Sequence, residues 1–199
     1  YYAADEVQIK TINLYAIAQE STALALYERG ELDTVSVPAS DLDRVKADPD
    51  LGQQYYNGPA NVLYYYDFNV LRAPFDDRLV RQAFAAATDK QSIVDFITKG
   101  GEIVAPTLTP PGSVGHVPPA AGVGIPYDPE HAKELLAEAG YPDGFSIRFM
   151  TSDGIVNKGV EVAEALGAML GDVGIKVEVL PVALQVMRDM YIGNPEPAA

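Results

Sequence analysis

YYYDFNVLRAPFDDRLVRQAFAAATDKQSIVDFIT, residues 64–98, is the stretch that decides the fold. It continues an apolar, aromatic segment, 62–68, whose large side chains alternate to both faces and so predict a central strand. After a turn with two aspartates, apolar residues recur at helical spacing over 77–87. Asp89 then stands where an N-cap belongs, and a second helix is predicted over 90–99. A strand packed against two capped helices follows from this pattern.

Upstream of this stretch, the pattern predicts short strands and short helices. Ser21 and Gly30 are typical of the start and the end of a helix over 22–29, and Ser40 of the N-cap of a helix that ends at Asp48. Extended, strand-like segments are predicted over 7–17, 34–37 and 53–57.

Downstream, a region rich in proline and glycine, 102–127, predicts a long surface connection. Asp128 and Pro129 then provide an acidic N-cap and a proline at the first helical position. The elements predicted from here are a helix over 129–139, a strand over 146–150, a helix over 158–170 and a strand over 175–180. The last three form a βαβ crossover with parallel strands.

Composition limits the function classes. The 199 residues include 14 basic and 28 acidic side chains, for a net charge of −14. This charge repels nucleic acid and anionic membrane surfaces, so no nucleic-acid partner is expected. No apolar run reaches the roughly 18 residues of a membrane span, and no export signal is expected in the sequence as given. With no cysteine and two histidines, neither a thiolate nor a His-rich metal site is expected.

The candidates for catalysis are weak. His131 lies off the apolar stripe of its predicted helix, and His116 lies in the proline-rich region, so neither is expected to support a nucleophile. Asp76 and Asp77 precede a helix and are expected to cap it, with general acid/base chemistry as the less favoured alternative. The glycines of 102–127 do not join a strand to a helix, as a phosphate loop requires. A non-catalytic binding module without metal or cofactor is the default.

The aromatic segment provides a candidate for ligand contact. An alternating strand places Tyr64 and Tyr66 on one face and Tyr65 on the other. At least one face is expected to be core, and the other face is a candidate for lining a ligand cleft.

Several blocks of the chain resemble those of one known family. Phe68-Asn69, APFDD at 73–77, LVRQAF at 79–84 and Asp89-Lys90 are similar to the pattern of the family 5 extracellular solute-binding proteins, the oligopeptide- and dipeptide-binding components of ABC importers. Further blocks follow the family's order, at 22–33, 107–112, 127–130, 132–142, 151–153 and 174–178.

The resemblance implies an α/β fold: a mixed sheet flanked by helices, forming one lobe of a periplasmic-binding-protein-like (type II) fold. Members have two lobes that close on a peptide, and this chain resembles the second lobe alone. We therefore expect residues 1–190 to form a single solute-binding lobe and 191–199 a tail. The signal peptide, the first lobe and a tryptophan-containing stretch that holds the peptide's amino terminus are expected to lie outside this sequence.

The resemblance also implies where a solute binds. The family grips an extended peptide mainly through its backbone, and the segment 151–157 resembles one that faces the cleft. Asn157 stands near a position where some members have a histidine, which changes a contact with a carboxylate from charged to neutral. The alternative for 151–153 is a capping turn between strand and helix. The candidate ligand-binding residues are Thr151, Ser152, Asp153, Asn157, Asn69 and Tyr65.

By the same resemblance, the expected partners are a peptide or other small solute, the membrane permease of an ABC transporter, and the first lobe of the same protein. A cargo such as nickel, heme or sugar is the alternative. The expected location is periplasmic or extracellular, and a lipoprotein anchor on the full-length protein is compatible with it.

Overall fold

The computed structural model describes residues 4–58, 60–99, 101–152 and 158–192. The chain divides into two compact units, Tyr1–Tyr56 and Asn57–Ala199. None of the helices in the described ranges is long and apolar enough to cross a bilayer.

The first unit is built from short helices. The unit contains a 3₁₀ turn at Ala4–Glu6, α1 at Glu20–Glu28, α2 at Leu42–Ala47 and α3 at Leu51–Gln54. Leu24 of α1 and Leu42 and Val45 of α2 are buried apolar side chains of these helices.

The capping residues of these helices differ from the prediction. Helix α1 begins one residue before Ser21, so its N-cap is Gln19, which makes no side-chain cap. The N-cap of α2 is Asp41 rather than Ser40, and the Ser40 hydroxyl donates to the Asp41 carboxylate at 3.2 Å. The predicted serine caps are therefore wrong, because the helices start at positions where neither hydroxyl reaches a free backbone N–H.

The second unit holds most of the regular structure. It contains α4 at Arg78–Ala87, α5 at Lys90–Ser92 continuing as a π-helical segment at Ile93–Thr98, a 3₁₀ turn at Pro119–Ala121, α6 at Pro129–Glu138, β1 at Ser146–Thr151, α7 at Gly159–Gly171, β2 at Lys176–Pro181 and α8 at Leu184–Ile192. The long connection predicted over 102–127 is confirmed, with one 3₁₀ turn inside it.

The sheet of the described residues is a parallel pair. Strand β1 pairs with β2 from Ser146 opposite Lys176 to Thr151 opposite Pro181, and α7 connects the two strands. The predicted βαβ unit and the α/β class are thus confirmed. Ile147 and Val177 pack against the core. Because strand residues alternate between the two faces, their neighbours along each strand lie on the opposite face.

The core of this unit lies where α4, α6 and the sheet meet. Val80 and Ala83 of α4, Leu136 of α6 and Ile175 before β2 are almost completely buried. The N–H of Asp128 donates to the carbonyl of Ala86 at 2.8 Å, which fixes the start of α6 against the end of α4. Burial of each large apolar side chain contributes about 1.5–3 kcal/mol.

The aspartate caps of this unit are confirmed. Asp77 accepts from the N–H of Leu79 at 2.7 Å, and Asp128 from that of His131 at 3.0 Å, with proline at N1. The hydroxyl and N–H of Ser92 both donate to Asp89, and these bonds lower the pKa of the Asp89 carboxyl. This cap therefore stabilises the fold fully above the ordinary carboxyl pKa, and its contribution is lost as the pH falls through the lowered value.

Several predicted strands are not formed. Segments 7–17, 34–37 and 62–68 belong to neither helix nor strand, and 53–57 begins as the end of α3. Alternation of apolar side chains reports which face is buried, whereas a strand also requires a partner backbone. Among the described residues, β1 and β2 pair only with each other.

The ends of two helices also differ from prediction. The helix predicted over 90–99 changes from α to π after one turn and ends at Thr98, and its C-cap, Lys99, has a φ of 53°. Helix α8, for which we predicted no element, extends to Ile192 and so includes the first two residues of the predicted tail. Residues 193–199 lie outside the described ranges.

Two glycines provide a matched test of the close approach before β1. Both have positive φ, but a Cβ on Gly144 would overlap the carbonyl oxygen of Gly174, whereas a Cβ on Gly140 would have open space. We expect Gly140→Ala to lower the free energy of unfolding by about 1–2 kcal/mol through its φ alone. Gly144→Ala should cost a further ~1–3 kcal/mol, because the backbone must move. Urea unfolding measures both, and equal losses would contradict the close approach.

Candidate functional site

The candidate site lies at the carboxyl end of β1, where Thr151 ends the strand and Ser152 follows. Both side chains are nearly inaccessible, at 5% and 3% exposure. The Thr151 hydroxyl donates to the carbonyl of Gly159 at 3.0 Å, and the Thr151 carbonyl accepts from the N–H of Val182 at 2.9 Å. Thr151 is therefore bonded both to the start of α7 and to the residue after β2.

Two of the buried polar side chains lie at this strand end, and a third lies beside a residue that contacts the start of α7. Among the described residues, the buried polar side chains are Thr88, Thr98, Thr151 and Ser152. Thr98 ends the π-helical segment, and its hydroxyl donates to a carboxylate oxygen of Glu102 at 2.9 Å. One residue earlier, the carbonyl of Ile97 accepts from the ammonium of Lys158 at 2.6 Å. The π-helical segment therefore contacts the residue that precedes α7.

The alternative of a capping turn over 151–153 stays a prediction, because Asp153 lies outside the described residues. For Thr151 itself, the described bonds are not those of a helix cap. An N-cap side chain accepts from a free N–H at the start of a helix. The Thr151 hydroxyl instead donates to a carbonyl, and the N-cap of α7 is Lys158, whose side chain makes no capping bond. The two other predicted residues of this segment, Asp153 and Asn157, lie outside the described residues.

Asn69 is held in a turn. Its side-chain oxygen accepts from the N–H of Leu71 and its carbonyl from the N–H of Arg72, both at 3.2 Å. The side chain is exposed, and no contact of Asn69 with Thr151 or Ser152 is described. These bonds give Asn69 a structural role, independent of its role as a candidate for solute contact.

The tyrosines divide between core and surface. The Tyr66 ring lies 5.5 Å from the ring of Phe68 and 5.9 Å from that of Phe149 in β1, whereas Tyr65 is 59% exposed. The prediction that one face of this segment is core is confirmed for Tyr66 and Phe68. The segment passes beside β1 at Phe149, and both Tyr64 and Tyr65 are open to solvent.

Tyr66 carries a buried polar group that the sequence did not reveal. The Thr88 hydroxyl donates to the carbonyl of Phe84 at 2.7 Å, so the Tyr66 hydroxyl, 3.2 Å away, donates to Thr88. Burial raises the pKa of Tyr66. The phenol is therefore protonated at neutral pH and acts as a structural donor.

Groups that could support catalysis or bind metal are dispersed. His131 is exposed and 3.2 Å from Glu134, and His116 contacts the carbonyl of Thr109 at 3.0 Å. Among the described residues, no group of three histidine or acidic side chains could hold a metal ion.

An open depression of about 410 Å³ lies on the sheet at the other end of the strands. It is lined by Ser146, Ile147, Arg148, Lys176, Val177 and Glu178. Because these residues begin the strands, the depression is distinct from the strand end at Thr151.

These features describe an α/β unit with a buried polar strand end. The family described as bacterial extracellular solute-binding proteins, family 5 Middle, matches residues 1–195. The chain belongs to this family.

Individual relatives support the assignment. Heme-binding protein A of Haemophilus influenzae is 37% identical over 134 residues, which are 67% of this chain and 24% of that protein. Di/tripeptide-binding protein 1 of Pseudomonas aeruginosa is 34% identical over 152 residues, 74% of this chain and 27% of that protein. The chain thus spans about a quarter of the length of these curated relatives.

A solved structure shows the same fold. The dipeptide binding protein from Pseudoalteromonas sp. SM9913, in complex with Met-Leu, has a TM-score of 0.65 and 26% identity. The match covers 85% of this chain and 34% of that chain.

Substitution of Asn69 tests its structural role. Asn69→Leu removes the acceptor for the N–H of Leu71, and we expect a loss of about 1 kcal/mol in the free energy of unfolding. Asn69→Asp keeps an acceptor and should lose less. Thermal unfolding, with binding measured by calorimetry on the full-length protein, should show that the leucine variant is impaired in folding more than in binding. A leucine variant that melts like the parent would refute the structural role.

Proposed function

We propose that this chain is part of the substrate-binding component of a bacterial ABC importer. The component binds oligopeptides or dipeptides in a cleft between two lobes and performs no catalysis. The observation that carries the proposal is the match of the family over residues 1–195. The peptide cargo is supported by the relatives named for di/tripeptides and by the solved dipeptide complex.

The proposed solute site is the carboxyl end of β1 and its surroundings. Ligands of α/β sheets bind outside the carboxyl ends of parallel strands, which is where Thr151 and Ser152 lie. An extended peptide offers backbone donors and acceptors, and strand-like hydrogen bonds to them tolerate varied side chains. The residues proposed to face the solute are Thr151, Ser152, Asp153, Asn157, Asn69 and Tyr65.

The chain is proposed to act as the second lobe of a longer protein, with residues 1–190 forming that lobe. The relatives are about four times as long as the matched region. Large apolar side chains are exposed, including those of Ile12, Leu14, Tyr65 and Leu71. Such exposure favours burial against further protein. Closure of the first lobe on the second would then signal to the permease.

The proposed location is periplasmic or extracellular, in agreement with the family's description. A lipoprotein anchor on the full-length protein would keep it close to the permease. No enzymatic step is assigned, because in the described part of the chain the ring bonds of His116 and His131 go to the Thr109 carbonyl and to Glu134 and not to a hydroxyl.

Heme is the second candidate cargo. It is favoured by the 37% identity to heme-binding protein A of Haemophilus influenzae.

Ligands that co-purify with the full-length protein test the cargo. We expect native mass spectrometry, followed by denaturation and sequencing of the released material, to find a mixture of short peptides. Hemin as the released material would replace the peptide proposal with the heme proposal, and a sugar or a metal chelate would refute both.

Calorimetry tests the need for a second lobe. Titration of Met-Leu into this 199-residue chain should give no measurable heat, because one lobe provides only part of the contacts, whereas the full-length protein should bind. Micromolar binding by the chain alone would show that this lobe carries the affinity by itself.

A further inference from the structure

We propose that Lys158 is a positioning residue for the solute site at the carboxyl end of β1. The proposal rests on the proposed function, because it assigns a role within the same site. Its basis is the contact between the Lys158 ammonium and the carbonyl of Ile97, two residues that are 61 positions apart in the sequence.

The contact joins two helical elements at their ends. Lys158 is the N-cap residue of α7, and Ile97 lies in the last turn of the π-helical segment Ile93–Thr98. The nitrogen–oxygen distance is 2.6 Å and the pair is partly buried. The final carbonyls of a helical segment lack N–H partners and carry partial negative charge, so an ammonium donor is well matched to them.

The backbone geometry on both sides is unusual. Among the described residues, the non-glycine residues with positive φ are Lys99 and Lys158, each at 53°. One follows the π-helical segment directly, and the other donates to it. Left-handed backbone in residues with a Cβ persists where the surrounding structure determines it, and π-helical segments occur frequently at functional sites.

The contact reaches the site through one further residue. Gly159 follows Lys158 and is buried, and its carbonyl accepts from the Thr151 hydroxyl. Lys158 and Gly159 thus bridge the end of the π-helical segment and the end of β1. Without the ammonium contact, the start of α7 is free to shift, and with it the position of Thr151 and Ser152.

The partner of Lys158 is a neutral carbonyl, and no ion pair of Lys158 is described. A long cationic donor can therefore replace it, whereas an apolar side chain of similar length cannot. Lys99 is the matched control, since it has the same charge and the same φ but is exposed and makes no described side-chain contact.

Three variants of the full-length protein test the proposal: Lys158→Met, Lys158→Arg and Lys99→Met. We expect Lys158→Met to weaken binding of Met-Leu about tenfold, the scale of one lost hydrogen bond to a charged group. Lys158→Arg should restore most of the affinity, and Lys99→Met should bind like the wild type. Thermal unfolding of each variant separates loss of affinity from loss of stability.

Amide hydrogen exchange provides a readout without ligand. In Lys158→Met, exchange should become faster both at Thr98 and at Ser152, whereas Lys99→Met should leave Ser152 unchanged. Faster exchange at Thr98 alone would overturn the positioning role, because the contact would then stabilise only the π-helical segment.

The outcomes distinguish this proposal from the proposed function. If the wild type binds Met-Leu and the two methionine variants bind it equally, the positioning role is overturned while the peptide function stands. If the wild type binds hemin and not Met-Leu, the peptide function is wrong, and the same variants titrated with hemin decide the role of Lys158.

Discussion

Phe84 projects from α4 into a group of rings from three other parts of the second unit. Its centroid lies 5.4 Å from that of Phe68, 5.2 Å from Phe75 and 6.3 Å from Phe145. Each such pair contributes about 0.5–1.5 kcal/mol beyond the burial of apolar area. The carbonyl of Phe145 accepts from the N–H of Lys176, so the same ring group fixes the start of the sheet. The position of β1, and hence of the strand end that forms the candidate site, depends on this packing.

Structural features that depend on residues close together in the sequence could be predicted. The caps at Asp77, Asp89 and Asp128 were predictable because a cap depends on residues within one helical turn. The parallel β1–β2 pair was predictable because two alternating segments flank one amphipathic helix. That segments 7–17 and 62–68 form no strand could not be predicted, since strand pairing depends on a backbone elsewhere in the molecule. Likewise, the contact between Lys158 and the end of the π-helical segment could not be predicted, because its two residues are 61 positions apart.

The residues of the candidate site could be predicted only in part. Resemblance to the family pointed to Thr151 and Ser152, but their burial and the bond from Thr151 to Gly159 emerged only from the fold. Alternation placed Tyr65 and Tyr66 on opposite faces without showing which face was core. Lys158 was missed, because its only unusual features are a backbone angle and a distant carbonyl partner.

The charged outer face of the sheet has a consequence for the behaviour of this chain in solution. Arg148 and Glu178 stand opposite each other in the register, and Lys176 begins β2, all with exposed side chains. Among the described residues, no further strand pairs with the outer edge of β1 or of β2, and an unpaired edge can recruit a strand from another copy. Charged side chains on the strands disfavour such edge pairing, and a net charge of −14 adds long-range repulsion between copies. Both charge effects therefore disfavour edge-to-edge association of the sheet with another copy of the chain.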